Sequence, residues 1–304
     1  MFTLAHLSDL HATSLEGVRP RDLVGKRLLG WLSWQVRRRR IHRPEILAGL
    51  LEDLRSAAPD HVVVTGDLTN VALEGEFAAA RRWLERIGDP GFLSVVPGNH
   101  DAYVALPFGA AWAHWREYLA SDAERTEAAS ASAPVEFPTL RVRGPLALVG
   151  LNTATPTGLF QATGRAGEEQ LGRLERLLEK LADSGLWRVL LLHHPPTEGA
   201  VARRRALLDA AAVREVLSRA GAELVLHGHA HRTLLGELEG PRGPIPVVGA
   251  RSGSDLGSRP GKRAQYHLYR FEPGSHRPRI HLAIRGYDPS AQRFHAEQGR
   301  CLLS

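Results

Sequence analysis

The chain has 304 residues, of which 43% are hydrophobic and 24% are charged, and these ordinary proportions argue against an intrinsically disordered chain. A chain of this length holds one large domain or two ordinary ones, and we expect a single domain over residues 1–304. The net charge is +6, but only three of the 39 basic residues are lysines; because such a bias toward arginine is typical of a GC-rich genome, the charge alone does not predict a nucleic-acid partner.

Cysteine content and hydropathy bear on the compartment. Cys301 is the only cysteine, which fits a reducing environment. The apolar N-terminal segment follows no basic residues and is interrupted by His6, Ser8 and Asp9, so it is not typical of a secretory signal. The sequence has no run of 18 apolar residues that could span a bilayer. We expect a cytoplasmic protein, with a peripheral contact at the inner face of the membrane as a further hypothesis.

Short β-rich segments alternate with amphipathic helical segments along most of the chain, a pattern that predicts an α/β layered fold. The last three predicted strands have no helix between them, so we expect them to form an antiparallel end to a mixed sheet. The predicted strands are Phe2–Leu7, His61–Thr65, Phe92–Val96, Ala147–Leu151, Arg188–Leu192, Glu223–Leu226, Ile245–Val248, Gln265–Phe271 and Arg279–Ile284. The predicted helices are Pro44–Ala57, Glu74–Ile87, Pro107–Leu119, Gly167–Ala182 and Ala206–Ala220.

Two segments depart from this alternation. The first, residues 14–43, combines two tryptophans with a run of four arginines at 37–40. One helix would be enough to return the chain to the sheet, so this segment is predicted to be an insertion. The second, residues 121–138, is rich in Ala, Ser and Glu and is typical of a surface connection or a short helix.

Five short polar clusters each follow a predicted strand. In open α/β sheets, ligands bind outside the carboxyl ends of the strands, so clusters that are far apart in sequence are expected to converge there. A glycine directly before a polar residue, as in three of the clusters, permits tight backbone geometry or close approach. The clusters are Asp9-Leu10-His11, Gly66-Asp67-Leu68-Thr69-Asn70, Gly98-Asn99-His100-Asp101, His193-His194-Pro195-Pro196 and Gly228-His229-Ala230-His231.

The residue types in these clusters point to metal binding. Imidazole nitrogen suits transition metals and carboxylate oxygen suits harder ions, so a mixed set of His, Asp and Asn favours first-row transition metals over Ca²⁺. Residues two apart in a strand face the same side, so Asp9 and His11 are expected to point at one ion if the strand continues through them.

Taken in order, the five clusters resemble the signature of the calcineurin-like metallophosphoesterase superfamily, D-x-H, G-D-x-x, G-N-H-D, H-x-P and G-H-x-H. They extend from Asp9 to His231, about three quarters of the chain. The resemblance implies an α/β fold, a four-layer α-β-β-α sandwich of two mixed sheets with the metal site at the strand ends.

The resemblance also implies roles for the residues that match the signature. Of the two adjacent histidines, His193 is expected to be the ligand because the family's histidine precedes one residue and then a proline; His194 is the alternative. One ion would be bound by Asp9, His11 and His231, the other by Asn99, His193 and His229, and both by Asp67.

His100 is expected to lie beside the ions without binding them. With Asn99 it would contact a substrate phosphate oxygen, or it would protonate the leaving group as a catalytic residue. Asp101 would orient His100 by accepting its ring N–H.

The resemblance predicts a hydrolase that uses two divalent transition-metal ions, with manganese, iron or zinc expected. Two such ions share a water, lower its pKa and clamp the phosphate for in-line displacement, so a metal-bridging hydroxide would be the nucleophile. The bond is expected to be a phosphodiester or a pyrophosphate. Class III cyclic-nucleotide phosphodiesterases share the G-N-H-D and G-H-x-H clusters, while the basic insertion resembles that of enzymes that hydrolyse UDP-diacylglucosamine, a lipid.

Four further residues are candidates for a place at the site. Asn70 closes the second cluster and is expected to hold the turn or Asp67. His194 and His227 are adjacent to signature residues and could support a ligand. Arg251 follows the strand at 245–248 and could meet a substrate phosphate.

The insertion leaves two interpretations open. Its tryptophans and the basic residues of 26–43 could bind an anionic membrane, or the tryptophans could pack onto the domain while the arginines face solvent. An alternative function, a non-catalytic protein-binding scaffold on the same fold, would be expected to lack several ligands, and all of them are present. The sequence has no stripe of interleaved aromatic and basic residues, so a nucleic-acid partner is not expected.

Overall fold

The computed structural model describes residues 1–126, 133–257, 260–275 and 277–303. Within these residues the strands form two six-stranded sheets. The strands are β1 (Phe2–Leu7), β2 (His61–Val64), β3 (Leu93–Val95), β4 (Thr139–Arg143), β5 (Leu146–Gly150), β6 (Trp187–Leu191), β7 (Leu224–His227), β8 (Leu234–Leu238), β9 (Ile245–Gly249), β10 (Gln265–Glu272), β11 (Arg279–Asp288) and β12 (Arg293–Leu303).

The helices lie mainly between the parallel strands. Over the part of the chain that is described, none of them is both long and apolar enough to cross a membrane. They are α1 (Lys26–Ser33), α2 (Arg39–Ile41), α3 (Pro44–Ala57), α4 (Glu74–Ile87), α5 (Arg116–Leu119), α6 (Asp122–Thr126), α7 (Glu168–Leu181) and α8 (Ala210–Ala220). Short 3-10 turns lie at Pro20–Asp22, Phe108–Ala110, Trp112–Trp115, Arg203–Arg205 and Pro260–Lys262, and a π-helical turn, Trp34–Arg38, joins α1 to α2.

The first sheet has the strand order β12-β11-β10-β1-β2-β3. Strands β1, β2 and β3 are parallel, whereas β10, β11 and β12 form its antiparallel end. The sequence placed residues 245–248 in that end, which is wrong, because β9 pairs with β7 in the other sheet. Its place is taken by β12, an edge strand whose largely exposed, polar side chains gave little strand signal.

The second sheet has the strand order β4-β5-β6-β7-β9-β8. Its central strands β5, β6, β7 and β9 are parallel, while the edge strands β4 and β8 are antiparallel to their neighbours. The carboxyl ends of the parallel strands therefore share one edge in each sheet, which is where the polar clusters begin.

Three apolar cores order these elements into four layers. The first core packs α3 and α4 onto β1, β2 and β3. The second packs α7 and α8 onto β5, β6 and β7. The third lies between the sheets, where Val63 of β2 shares a cluster with Leu148 of β5 and Leu226 of β7. The order helix, sheet, sheet, helix confirms the predicted α/β sandwich of two mixed sheets.

The insertion at 14–43 forms a nearly continuous helix through α1, the π turn and α2. Trp34 is only 5% exposed and packs with Leu15, Val71 and Leu73 in a small apolar cluster. The membrane interpretation expected the tryptophans at a lipid surface; for Trp34 that expectation is wrong, because the side chain faces the protein. A π turn inserts an extra residue into the helix, and such turns occur frequently at functional sites.

The predicted helix at 107–119 is not continuous. Two 3-10 turns precede α5, since Gly109 weakens a helix and Ala111 leaves the helical region with φ −132° and ψ −103°. Trp112 instead donates from its indole N–H to the carbonyl of Asp101, at 3.1 Å. The broken segment thereby contacts the loop after β3.

The surface segment at 121–138 begins with a short helix, α6. Residues 127–132 of this segment lie outside the described residues. Beyond them, Phe137 is held by α7, because the guanidinium of Arg173 donates to its carbonyl at 3.0 and 2.8 Å.

Candidate metal centre

The loops after five parallel strands bring the signature side chains together through left-handed backbone. Strand β1 ends at Leu7, so Asp9 and His11 converge without the strand that the sequence reasoning assumed. A positive φ costs a non-glycine residue roughly 1–2 kcal/mol and is concentrated at functional sites. Five signature residues adopt it, namely Asp9 (50°), His11 (41°), Asp67 (57°), His229 (65°) and His231 (49°).

Two glycines are required by the closeness of these loops. A Cβ at Gly98 would collide with the backbone N and a carboxylate oxygen of Asp67, and one at Gly228 would collide with the side chains of Ser8 and Asp9. The glycines before Asn99 and His229 therefore let neighbouring loops pack against each other, as expected for close approach.

A first group contains Asp9, His11, Asp67 and His231, whose ligand atoms all lie within 4.8 Å of one another. Nε2 of His231 is 3.1 Å from Oδ1 of Asp9, and Nε2 of His11 is 4.0 Å from Oδ2 of Asp67. The first three of these side chains are buried. This group could hold one metal ion.

A second group contains Asp67, His193 and His229, again within 4.8 Å. Nε2 of His193 lies 3.4 Å from the same oxygen of Asp67, Oδ2, and 3.1 Å from Oδ1 of Asn99. This group could hold a second ion, and the two groups share one carboxylate oxygen.

Hydrogen bonds to backbone carbonyls fix which nitrogen of each histidine ring faces the site. A carbonyl can only accept, so a ring nitrogen that contacts one carries a proton, and the other nitrogen of the ring faces the site. Oδ1 of Asp9 is buried and lies 3.1 Å from Nε2 of His231, as expected of two donor atoms that could bind one cation. The three proton-bearing contacts are His11 Nδ1 to Thr69 O (3.1 Å), His193 Nδ1 to Thr65 O (2.6 Å) and His229 Nε2 to Arg205 O (2.8 Å).

The pKa values follow from burial and from the shared carboxylate. Burial lowers the pKa of His11 to about 4, so this ring is neutral and its lone pair is available. Burial also opposes protonation of His193, but the Asp67 carboxylate outweighs it and raises the pKa to about 9. Burial disfavours the charged form of Asp67, yet His193 holds its pKa well below the usual range. A proton must therefore leave His193 when a cation binds.

His100 lies beside both groups, and its orientation differs from the prediction. Its backbone N–H donates to Oδ1 of Asp67 at 2.7 Å, and its ring Nδ1 donates to the carbonyl of Asn70 at 2.6 Å. The prediction that Asp101 accepts the ring N–H is wrong, because that carboxylate is occupied by the backbone. It accepts the N–H groups of Asp67 (2.8 Å), Leu68 (3.0 Å), Thr69 (2.9 Å) and Gly98 (2.9 Å).

Two of the further candidate residues, Asn70 and His194, have supporting contacts. The side-chain amide of Asn70 donates to the Thr13 carbonyl at 2.9 Å, which ties the turn to the start of the insertion. His194 places Nδ1 2.9 Å from the Thr153 hydroxyl. Its ring centroid is 4.4 Å from that of His229.

His227 and Arg251 do not take the places that the sequence suggested. The buried ring of His227 uses Nδ1 on the Gly228 carbonyl, at 3.0 Å, so this bond supports the backbone and not a ligand ring. Arg251 is not among the described residues that line the cavity over the site. Arg251 interacts electrostatically with Glu297 of β12 and with His267.

The two groups open onto a cavity of about 580 Å³. Four of the residues that line it are basic and lie outside the signature: Arg37, Arg38, Arg205 and Lys262. Sequence reasoning missed them, since a basic run gives no sign of which member turns inward. His42, at the end of the insertion, was also missed; its ring lies 4.4 Å from that of His11 and its Nδ1 lies 2.9 Å from the Ser254 hydroxyl.

A profile of the calcineurin-like phosphoesterase family matches residues 2–233. The chain belongs to this family. Calcineurin-like phosphoesterases use divalent metal ions, and the two groups of His and Asp side chains at the strand ends are where this chain could hold them.

Individual relatives agree with this assignment. A protein of Synechococcus sp., described as a probable cyclic nucleotide phosphodiesterase, is 26% identical over 238 residues, which are 77% of this chain and 81% of the relative. A dimetal phosphatase from Danio rerio superposes with a TM-score of 0.57 at 12% identity, covering 99% of this chain and 98% of the other. The purple acid phosphatase PPD1 from yellow lupin (Lupinus luteus) gives 0.54 at 11% identity, covering 99% and 53%. At such identities the two structures support the fold alone.

Proposed function

We propose that this calcineurin-like phosphoesterase hydrolyses a phosphodiester or pyrophosphate bond with two divalent metal ions. The observation that carries the proposal is the shared oxygen: Oδ2 of Asp67 faces His11 at 4.0 Å and His193 at 3.4 Å. When bound, two such ions supply Lewis acidity and an activated water for in-line displacement. The mixed nitrogen and oxygen donors favour manganese, iron or zinc.

The side chains of this chain would divide the work as follows. His100 would contact the phosphate or protonate the leaving group. Its Nδ1–H would remain hydrogen-bonded to the Asn70 carbonyl when Nε2 is protonated, so the orientation of the ring would not change. Asp101 would act as a positioning residue that fixes the loop of Asp67. Asp9, His11 and His231 would hold one ion, Asn99, His193 and His229 the other, and Asp67 both.

Two substrates are candidates within this class. The name of the Synechococcus relative favours a cyclic nucleotide, whereas the insertion beside the cavity favours a UDP-diacylglucosamine-like lipid. Metal-reconstituted protein should be assayed with bis(p-nitrophenyl) phosphate, p-nitrophenyl phosphate, cyclic AMP and UDP-diacylglucosamine. We expect the diester to be cleaved faster than the monoester, and one of the two natural candidates to be turned over. Cleavage of the monoester alone would contradict the proposal.

We further propose that the insertion contacts an anionic membrane, which would place the protein in the cytoplasm at the inner face of the bilayer. Leu28, Leu32 and Val36 recur every four residues and are 45%, 44% and 73% exposed, so they form one apolar stripe. Lys26 bonds the Thr157 hydroxyl at 2.8 Å, which brings the stripe to a loop whose Phe160 is 80% exposed. Exposed arginines of the 37–40 run follow the stripe, as an anionic lipid surface requires.

A further inference from the structure

Arg38 of the insertion reaches the candidate catalytic histidine. Its Nη2 lies 2.9 Å from Nε2 of His100. The other ring nitrogen of His100 already donates to the Asn70 carbonyl, so Nε2 is the acceptor and Arg38 is the donor. Arg38 is the last residue of the π turn. The next two residues, Arg39 and Arg40, are exposed.

This contact uses little of what a guanidinium offers. Arg38 has five N–H donors in a planar fork that matches phosphate oxygens. Its Nη1 also lies 3.1 Å from Nδ1 of His100, but Nδ1 carries the proton that is donated to Asn70, so the imidazole accepts from one N–H only. Among the described residues, no carboxylate oxygen lies within 4.0 Å of it. By contrast, the guanidinium of Arg205, which also lines the cavity, donates to the carbonyl of His229 and is thereby committed to the protein.

The contact also blocks His100. While Nε2 accepts from Arg38, it holds no proton that could pass to a leaving group. Arg38 and His100 line the same cavity as Asp67 and Asn99, so a phosphoryl group at the ions would lie within the space that Arg38 faces. A phosphate oxygen is a stronger acceptor for a guanidinium than an uncharged ring is.

We propose that Arg38 is a substrate-binding residue that donates to a non-bridging phosphoryl oxygen. When no phosphate is bound, it donates to Nε2 of His100 instead. The proposal rests on the proposed phosphoesterase function, and it assigns a residue of the insertion, outside the family signature, to the phosphate. Binding of the phosphate would draw Arg38 away from Nε2 of His100, so that this nitrogen would face the substrate.

The test is binding of inorganic phosphate to manganese-loaded protein by isothermal titration calorimetry, with metal content measured on the same samples. We compare the wild type with Arg38→Ala, Arg38→Lys and, as a matched control, Arg39→Ala, which removes the same charge from the exposed next residue. Loss of one charge-assisted contact should weaken phosphate binding about ten- to a hundredfold in Arg38→Ala. Arg38→Lys should lie between it and the wild type, and Arg39→Ala should change binding by less than about twofold.

Two results would overturn the proposal: phosphate affinity in Arg38→Ala equal to that of Arg39→Ala, or loss of metal from Arg38→Ala and Arg38→Lys alike, which would show a structural role. If the wild type cleaves no ester but still binds phosphate through Arg38, the proposed hydrolysis fails while the assignment of Arg38 stands. In the opposite case, the wild type cleaves bis(p-nitrophenyl) phosphate but substitution of Arg38 leaves phosphate binding unchanged. The proposed hydrolysis then stands and the assignment of Arg38 fails.

Discussion

At the scale of single residues, the site depends on which ring nitrogen each histidine turns inward. Backbone carbonyls of Thr69, Thr65 and Arg205 each accept one N–H from a histidine, so the other nitrogen of each ring faces the carboxylates of the site. The left-handed backbone at Asp9, Asp67 and His231 is costly in isolation. A cation bound by all of these groups would offset both that cost and the mutual repulsion of the carboxylates.

His100→Ala tests the division between ligands and catalytic groups. The ring lies beside the two groups but is in neither of them, so we expect the variant to keep both metals and to lose about 10²- to 10⁴-fold in turnover. Metal content by mass spectrometry and kcat on a diester check this. Metal loss comparable to that of Asp67→Ala would show that His100 is itself a ligand.

The residue types and the position of each cluster at a strand end predicted that these side chains meet at a metal site, and the family resemblance predicted which of them form each group. They were not sufficient to predict hydrogen-bond partners. Asp101 follows His100 in sequence, yet its carboxylate turns to the backbone of Asp67 and Gly98. Such choices depend on loop conformation, which a one-dimensional pattern does not contain. For the same reason Arg38, His42 and Arg205 could not be found.

At the scale of elements, strong periodicity made α3 and α4 predictable to the residue, because each presents a continuous apolar face to the first core. The edge strands β4, β8 and β12 were missed, since one or both faces of an edge strand meet solvent and the alternation that identifies a strand fades. The insertion helix combines both cases, with a buried side at Trp34 and an exposed apolar stripe at Leu28, Leu32 and Val36.

That stripe makes the membrane proposal testable. A triple variant, Leu28→Ser, Leu32→Ser and Val36→Ser, should lower partitioning onto phosphatidylglycerol-containing vesicles about tenfold or more, because three aliphatic side chains no longer enter the interface. Val142→Ser with Leu235→Ser, which removes exposed apolar groups from edge strands, is the control. Sedimentation with vesicles measures the partitioning. Wild type that stays in the supernatant, or a control that loses as much as the triple variant, would contradict membrane contact.

At the scale of the whole molecule, the proposed ions connect the two sheets. Asp9, His11 and Asp67 follow strands of the first sheet, whereas His193, His229 and His231 follow strands of the second. A ligand that binds only the folded protein stabilises it by about 2.7 kcal/mol at a hundredfold excess over its Kd. Metal in excess should therefore raise the Tm of chelator-treated protein by several degrees, measured by calorimetry. An equal rise in Asp67→Ala would show that the metal binds elsewhere.

The most direct test of the account is turnover of bis(p-nitrophenyl) phosphate by chelator-stripped protein resupplied with Mn²⁺, Zn²⁺ or Fe²⁺, with Asp67→Ala measured beside the wild type. We expect no activity without metal, restored activity with at least one of these ions, two bound metals per wild-type chain, and loss of activity and metal in the variant. Activity that survives chelation, or that persists in Asp67→Ala, would contradict a hydrolase built on two ions that share one carboxylate.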